Sequence, residues 1–268
     1  MPTSLPHLLA LLACAILPDF ARAQVAPVES QVRVVPKISN IAEGKHVRHF
    51  GYIEISGDIR QPVVAQLAAA FPQARRGAGS FTLSGEPIVR VFINSRGGEV
   101  LAAMHMGQII RSQAAEVWVD KGSECSSACI LILAAGVGRF AVPGAKLGIH
   151  RPYFPPTEFA GLSYEKSQSR YAALASGVKE YLAKMGIADS LYEAMLTIPS
   201  QKIEYLDRPF SKSTRLLGED PAYQEWQRAK DQKAIGKERQ QGLEEYSDCM
   251  NAGKSHRECE HHLSGWKQ

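Results

Sequence analysis

The feature that most constrains the fold is an apolar strand that runs into a double glycine. Residues 88–94 read Ile-Val-Arg-Val-Phe-Ile-Asn, and Ser95-Arg96-Gly97-Gly98 follows directly. A nearly continuous apolar run of this length is typical of a strand buried in a parallel sheet. Glycines at its end permit a turn whose backbone N–H groups face a ligand at close range, or simply a tight strand-to-helix turn.

Strand and helix patterns alternate around this run. Strands are predicted at residues 50–55, 88–94, 116–119, 140–142 and 147–149, and helices at 62–71, 99–112 and 126–135, with residues 72–85 as a loop. Such alternation indicates an α/β fold with right-handed crossovers, a mostly parallel central sheet and flanking helices.

The last two-fifths of the chain contain two further types of sequence. A long amphipathic helix is predicted over residues 163–185, and a shorter helical segment over 191–196. Past Asp220 the sequence becomes charged and rich in glutamine, which predicts a peripheral helix over residues 225–246. We therefore expect an α/β domain over residues 47–218 and a helical extension over 219–268. Residues 24–46 are expected to form an extended arm, with one β-like stretch at 32–35.

The N-terminus has the pattern of a secretory signal peptide. Residues 8–17 are apolar but too short to span a bilayer, and Ala21-Arg22-Ala23 fits a small-x-small cleavage site. Residues 1–23 are then the signal, and the mature chain starts near Gln24 in the periplasm or outside the cell. The n-region carries neither Lys nor Arg, and Cys14 offers the alternative of a lipoprotein. No stable membrane span is expected after export.

Composition excludes some classes of partner and constrains the cysteines. A net charge of +4 without any dense Lys/Arg block gives no support for nucleic-acid binding. Without Cys14 an even number of cysteines remains, which indicates disulfides in an exported protein. Local pairing is the simplest of the three connectivities: Cys249 with Cys259, and Cys125 with Cys129. If Cys125 and Cys129 are one helical turn apart, their bridge requires distortion, and Cys129 could instead be a small buried apolar residue.

The most reactive-looking arrangement joins Ser127 to His150. Ser127 falls near the start of the predicted helix 126–135, where free backbone N–H groups favour developing negative charge. His150 closes the apolar segment Leu147-Gly148-Ile149 and could supply a base. Each residue alone has an ordinary explanation: Ser126 or Ser127 as a helix N-cap, and His150 as a hydrogen-bonded structural histidine.

Together these blocks resemble a known family. Residues 50–152 resemble the proteolytic subunit of Clp protease and its relatives with the ClpP/crotonase fold, in particular exported members with Cys-x-Ser-Ala-Cys. The resemblance rests on the matching blocks at residues 52–59, 92–98, 127–136, 139–143 and 148–152.

The resemblance implies serine-dependent peptide hydrolysis. Ser127, nine positions before Gly136, is the implied nucleophile, with Ser126 as a weaker competitor. His150 is the implied general base, and the backbone N–H groups of Gly98 and Ala128 form the implied oxyanion hole. It also implies a peptide or protein substrate, no cofactor and a homo-oligomer. No ATPase partner is expected outside the cytoplasm.

The sequence departs from the family at the third member of the triad. The aligned position is not an Asp, and Glu204 or Asp207 are the nearby substitutes. A Ser-Lys arrangement with Lys166 is a further possibility, although a solvated lysine is the plainer interpretation. Arg96 replaces a proline usual in the family's turn. The missing aspartate leaves open a catalytically inactive binding or scaffold protein, and tight binding of CoA would instead indicate an acyl-CoA enzyme.

A metal site is not expected. Cys259 lies near three histidines, but the spacing fits no strong zinc pattern and the disulfide competes for the thiolate. The histidines are His256, His261 and His262.

Overall fold

The computed structural model describes residues 31–39 and 48–266. The predicted signal peptide, its cleavage site, Cys14 and most of the predicted arm lie outside the described residues. Over the described part of the arm the chain forms a strand, β1 (Gln31–Ser39), which pairs antiparallel with β2 (Arg48–Ser56) along its whole length. The β-like stretch at residues 32–35 is therefore confirmed as part of this longer strand.

The remaining elements include the strands and helices that the sequence predicts, together with short elements that it does not. They are α1 (Gln61–Arg76), β3 (Arg90–Asn94), α2 (Val100–Ser112), β4 (Glu116–Val119), β5 (Glu124–Ser126), α3 (Cys129–Ala135), β6 (Gly138–Ala141), β7 (Lys146–Ile149), a 3₁₀ turn (Pro156–Phe159), α4 (Tyr164–Lys184), α5 (Asp189–Thr197), β8 (Glu204–Tyr205), α6 (Arg208–Ser213), β9 (Gly218–Glu219), α7 (Pro221–Ile235), α8 (Lys237–Asn251), α9 (His256–Cys259) and a terminal 3₁₀ segment (Glu260–Trp266).

Two sheets organise the α/β domain. The larger sheet has the order β1-β2-β3-β4-β6-β9, with β2, β3, β4 and β6 parallel and antiparallel strands at both edges. The smaller sheet has the order β5-β7-β8. The predicted α/β fold with a mostly parallel central sheet is confirmed.

The helix α3 lies at the centre of the core. All seven of its residues are buried, as expected of a helix that is apolar on every side. Tyr181 of α4 is also buried, and its hydroxyl donates to the carbonyl of Leu131 at 2.8 Å. Burial raises the pKa of Tyr181, so the phenol stays neutral and the long helix is fixed against α3.

Three predicted boundaries are wrong, each because tertiary contacts outweigh a local signal. The helix α1 continues through Pro72 to Arg76, because its buried face continues through Ala74. The predicted helix 126–135 begins only at Cys129, because Glu124–Ser126 pair as a strand with β7. The predicted helix 225–246 is a hairpin of α7 and α8, broken at Gly236, whose φ of 87° favours glycine.

A buried charge cluster joins the hairpin to the α/β domain. The fully buried Arg139 guanidinium donates to the carbonyl oxygens of Gly136, Met185 and Arg215 and, at 2.9 Å, to the carboxylate of Asp220. Arg111 bonds the same carboxylate at 3.0 Å. Desolvation, reinforced by repulsion from Arg111, lowers the pKa of Arg139 to about 10, and Asp220 opposes that shift. The guanidinium stays charged at neutral pH and holds the ends of α3 and α4 next to the start of α7.

Among the described helices, none combines the length and the apolar character that crossing a membrane requires.

Candidate functional site

The segment around Ser127 is a turn between a strand and a helix. The Ser126 amide donates to Ser95 and the Ser127 amide to Gly148, so the turn is bonded to the end of β3 and to β7. Ser127 has a φ of 57°, which is uncommon for a residue with a side chain. Such local strain persists only where the surroundings determine it, and it is often found at functional sites.

The double glycine packs directly against this turn. A Cβ atom on Gly97 would lie 2.6 Å from the Cβ of Ser127 and 3.0 Å from its Oγ. A Cβ on Gly98 would lie 2.2 Å from the carbonyl oxygen of Ile59. Both glycines also have positive φ, of 113° and 146°. The sequence needs glycine here for close approach to Ser127 as well as for the turn.

Two backbone donors at this point are left unused. Among the described residues, no hydrogen bond engages the amide N–H groups of Gly98 and Ala128. A pair of free amides next to a serine hydroxyl can stabilise an oxyanion. Ala128 follows Ser127 directly, and the helix begins one residue later, whereas Gly98 lies against Ile59 and is linked to Ser127 through the contact of its neighbour Gly97.

His150 shares a pocket with Ser127. The two residues line a cavity of about 10 Å³ together with Val100, Ala128, Leu131, Pro152, Tyr153, Val178 and Met195. This volume is close to the space of a single water molecule. His150 is 8% exposed, and no hydrogen bond joins it to Ser127 within the described contacts. Hydrogen bonds between such pairs often lengthen in an empty site.

The Nδ1 atom of His150 bonds the carbonyl oxygen of Arg151 at 2.7 Å. A carbonyl only accepts, so Nδ1 carries the proton and Nε2 is left as the acceptor. Neither predicted substitute for the missing aspartate makes this contact. The Asp207 carboxylate caps α6 by accepting from the amide of Phe210, and the exposed Glu204 lies in β8 opposite Ile149.

The competing serine is fully engaged. Ser126 is buried, and its hydroxyl donates to the Glu124 carboxylate at 2.6 Å. The hydroxyl of Tyr205 donates to the same oxygen at 3.2 Å, and the Arg96 guanidinium lies 4.0 Å from the other. The Tyr205 pKa is raised by desolvation and by the charge of Glu124. Sequence reasoning missed Glu124, because the two-residue spacing that brings it to Ser126 holds only in a strand, and no strand was predicted at residues 124–126.

Lys166 is exposed near the first turn of α4 and does not line the pocket of Ser127 and His150. The Ser-Lys arrangement therefore has no geometric support.

Two pairs of cysteines lie at disulfide-bonding distance. Cys125 and Cys129 have Cα atoms 5.2 Å apart, and both are buried on either side of Ser127. Cys125 belongs to β5 rather than to a helix, so the distortion expected for a bridge across a helical turn does not arise. Cys249 and Cys259 have Cα atoms 5.7 Å apart and link α8 to α9.

The residues considered for a metal make other contacts. Cys259 is in the disulfide, the Nδ1 of His256 bonds Tyr246, that of His261 bonds the carbonyl of Glu258, and that of His262 bonds Glu245. Within residues 31–39 and 48–266 no group of three or more His, Cys, Asp or Glu is arranged for a metal ion.

Comparison with known families identifies the central segment. Residues 82–161 match the family model for Clp protease. This segment contains Gly98, Ser127, Ala128 and His150, but neither Glu204 nor Asp207. No curated protein gives a significant match to the chain. The resemblance to the Clp protease family is thus confirmed, over less than a third of the residues.

Proposed function

We propose that this Clp-protease-like chain is an exported serine peptidase that cleaves peptide bonds through Ser127 and His150. The observation that carries the proposal is the position of Ser127. It lies on a turn with φ 57°, its amide is bonded to Gly148, and it shares a pocket with His150.

In the proposed reaction the Ser127 hydroxyl gives its proton to Nε2 of His150 as Oγ bonds the substrate carbonyl carbon. The N–H groups of Gly98 and Ala128 hold the resulting oxyanion. The imidazolium then protonates the leaving amine, and water, deprotonated by the same imidazole, hydrolyses the acyl-enzyme. The Arg151 carbonyl fixes the ring proton on Nδ1, the role that a carboxylate has in the Ser-His-Asp triad.

A carbonyl has no full negative charge, so it stabilises the imidazolium less than a carboxylate does. We therefore expect slower turnover than in a complete triad. The narrow pocket requires the segment of Pro152 and exposed Tyr153 to move before a substrate side chain enters.

The second candidate is an inactive protein of the same fold that binds a partner. Two observations favour it: the small pocket, and the absence of a carboxylate among the described contacts of His150.

Labelling with a fluorophosphonate probe separates the two functions. An active peptidase is labelled, and Ser127→Ala and His150→Ala each abolish labelling, while Ser126→Ala does not. An inactive protein is not labelled, and labelling that survives Ser127→Ala refutes the nucleophile.

Location and assembly belong to the same proposal. We infer export with cleavage after Ala23, which N-terminal sequencing of the secreted chain tests; lipid attachment at Cys14 would contradict it. Members of the Clp protease family oligomerise, and we propose that this chain forms a homo-oligomer, to be tested by sedimentation.

A further inference from the structure

A large cleft lies at the end of the central sheet opposite the site of Ser127. Its volume is about 1150 Å³. Glu116 and Gly138, the first residues of β4 and β6, form its floor, whereas Gly97 and Gly98 follow the last residue of β3. The five-residue strand β3 alone separates the two ends by about 13 Å. The cleft is therefore distinct from the proposed peptidase site.

The wall of the cleft is the α7–α8 hairpin, and the loop before β3 completes it. Asp231 of α7 is 8% exposed and accepts hydrogen bonds from the Ser84 amide and from the Gln227 carboxamide, both at 2.8 Å. Lys230 of the same helix forms an ion pair with Glu86. These contacts connect the hairpin to the loop and keep the cleft formed.

One buried side chain in the wall has no partner. Gln240 of α8 is 5% exposed and lines the cleft, and its carboxamide makes no hydrogen bond within the described part of the chain. Leaving a buried amide without a hydrogen bond costs free energy. A ligand that donates to and accepts from this carboxamide removes that cost.

The charge of the cleft is negative. Four lining carboxylates form no ion pair with any described residue: Glu219, Glu225, Asp231 and Asp248. Of the lining cations, Arg228 is paired with Glu244 and Lys230 with Glu86, while Arg75 bonds the neutral Gln113. The surplus carboxylates favour a cationic ligand.

One ammonium group of the protein, that of Lys230, already lies between an aromatic ring and a carboxylate in the wall of the cleft. The Nζ atom of Lys230 lies 4.9 Å from the ring centre of Trp226 while it bonds Glu86. Trp226 remains 52% exposed and its ring is 5.5 Å from that of Tyr223. An aromatic face beside carboxylates binds alkylammonium and guanidinium groups.

We propose that this cleft binds an extended peptide segment that carries lysine or arginine side chains. The carboxylates take the side-chain cations, Trp226 stacks on one of them, and the Gln240 carboxamide bonds the peptide backbone. The proposal is independent of the peptidase activity, because the cleft contains none of the residues assigned to that reaction.

Binding to the full chain with Ser127→Ala tests the proposal without cleavage of the ligand. Three probes are titrated at low salt: a lysine-rich octapeptide, the same peptide with glutamate in place of lysine, and spermine. The quenching of tryptophan fluorescence reports binding, and Trp226→Phe assigns the signal to the cleft. We expect the basic peptide to bind in a salt-sensitive manner and the acidic peptide not to bind.

Matched variants separate the cleft from general attraction to negative charge. Glu225→Gln with Asp248→Asn removes two exposed cleft carboxylates and should weaken the basic peptide about fivefold or more. Glu165→Gln with Glu193→Gln removes the same charge from exposed positions of α4 and α5 and should leave affinity unchanged. No binding of the basic peptide, equal effects of the two double variants, or binding of spermine alone would overturn the proposal.

Discussion

The Nδ1 atom of His150 lies 2.7 Å from the carbonyl oxygen of Arg151, the next residue in the chain. The contact fixes the imidazole through the backbone rather than through an acidic side chain. Under the proposed mechanism, this backbone contact takes the orienting role that the family's aspartate would have. The peptide that supplies the carbonyl is followed by Pro152, whose ring restricts the backbone of Arg151 to extended conformations.

This contact predicts the tautomer of His150. Long-range ¹H–¹⁵N correlation spectra of the neutral ring should show a protonated Nδ1 and an unprotonated Nε2. Because the bond is to the main chain, Arg151→Ala should leave the tautomer unchanged. A protonated Nε2 would remove the proposed base.

Gly97→Ala should inactivate the site through contact with Ser127. The new Cβ would lie 2.6 Å from the Cβ of Ser127, so the turn must shift, and displacement of a reacting group by about 1 Å can cost about 100-fold in rate. Probe labelling rates measure the loss.

Gly253→Ala is the matched control for backbone strain alone. Gly253 has a φ of 81° and open space around its Cβ position. It should lose stability but label at the normal rate. Normal labelling of Gly97→Ala would show that the close approach is unimportant.

The sequence predicted the central sheet because its signals are local and strong. The apolar run at residues 88–94 and the alternation around it require only periodicity, and β3, β4 and β7 lie where that periodicity places them. The pairing of strands within the sheets was harder to predict from the sequence. Nothing local shows that Ser126 lies outside the predicted helix 126–135 or that Glu124–Ser126 pair with Lys146–Gly148, since this depends on contacts over twenty residues away.

The candidate site also has a part that the sequence predicted and a part that it did not. Gly97, Ser127 and His150 are adjacent to recognisable strand ends; the structure packs Gly97 against Ser127 and places Ser127 and His150 in one pocket. The partner of His150 could not be predicted, because a backbone carbonyl has no sequence signature. The search for a carboxylate led instead to Asp207, whose spacing before Phe210 fits a helix cap equally well.

Removal of the Cys125–Cys129 bridge should lower the rate at which Ser127 is labelled, while its effect on the stability of the protein should be limited. The bridge closes a short loop, so its entropic contribution to stability is limited, but the loop contains Ser127 in a strained conformation. We expect Cys125→Ala with Cys129→Ala to reduce the labelling rate about tenfold, equivalent to about 1.4 kcal/mol.

Cys249→Ala with Cys259→Ala is the control, because that bridge lies between α8 and α9. It should lower the melting temperature without changing the labelling rate. If the Cys125→Ala, Cys129→Ala variant is labelled as fast as the unmodified chain, the Cys125–Cys129 bridge does not position Ser127.

Asp220→Asn should destabilise the fold in a pH-dependent way. Desolvation raises the pKa of Asp220, but the combined lowering by the Tyr223 amide, Arg111 and Arg139 is larger. The folded pKa therefore lies below the ordinary value of 3.8. The carboxylate therefore contributes its full stabilisation above about pH 4, and this contribution is lost as the pH falls through the folded pKa. Breaking a buried pair costs about 3–5 kcal/mol and leaves the Arg139 charge uncompensated. Urea unfolding at pH 7 should show a loss of this size, and the difference from the unmodified chain should shrink at pH 3. A difference that is constant with pH would show that the carboxylate charge is not what holds Arg139.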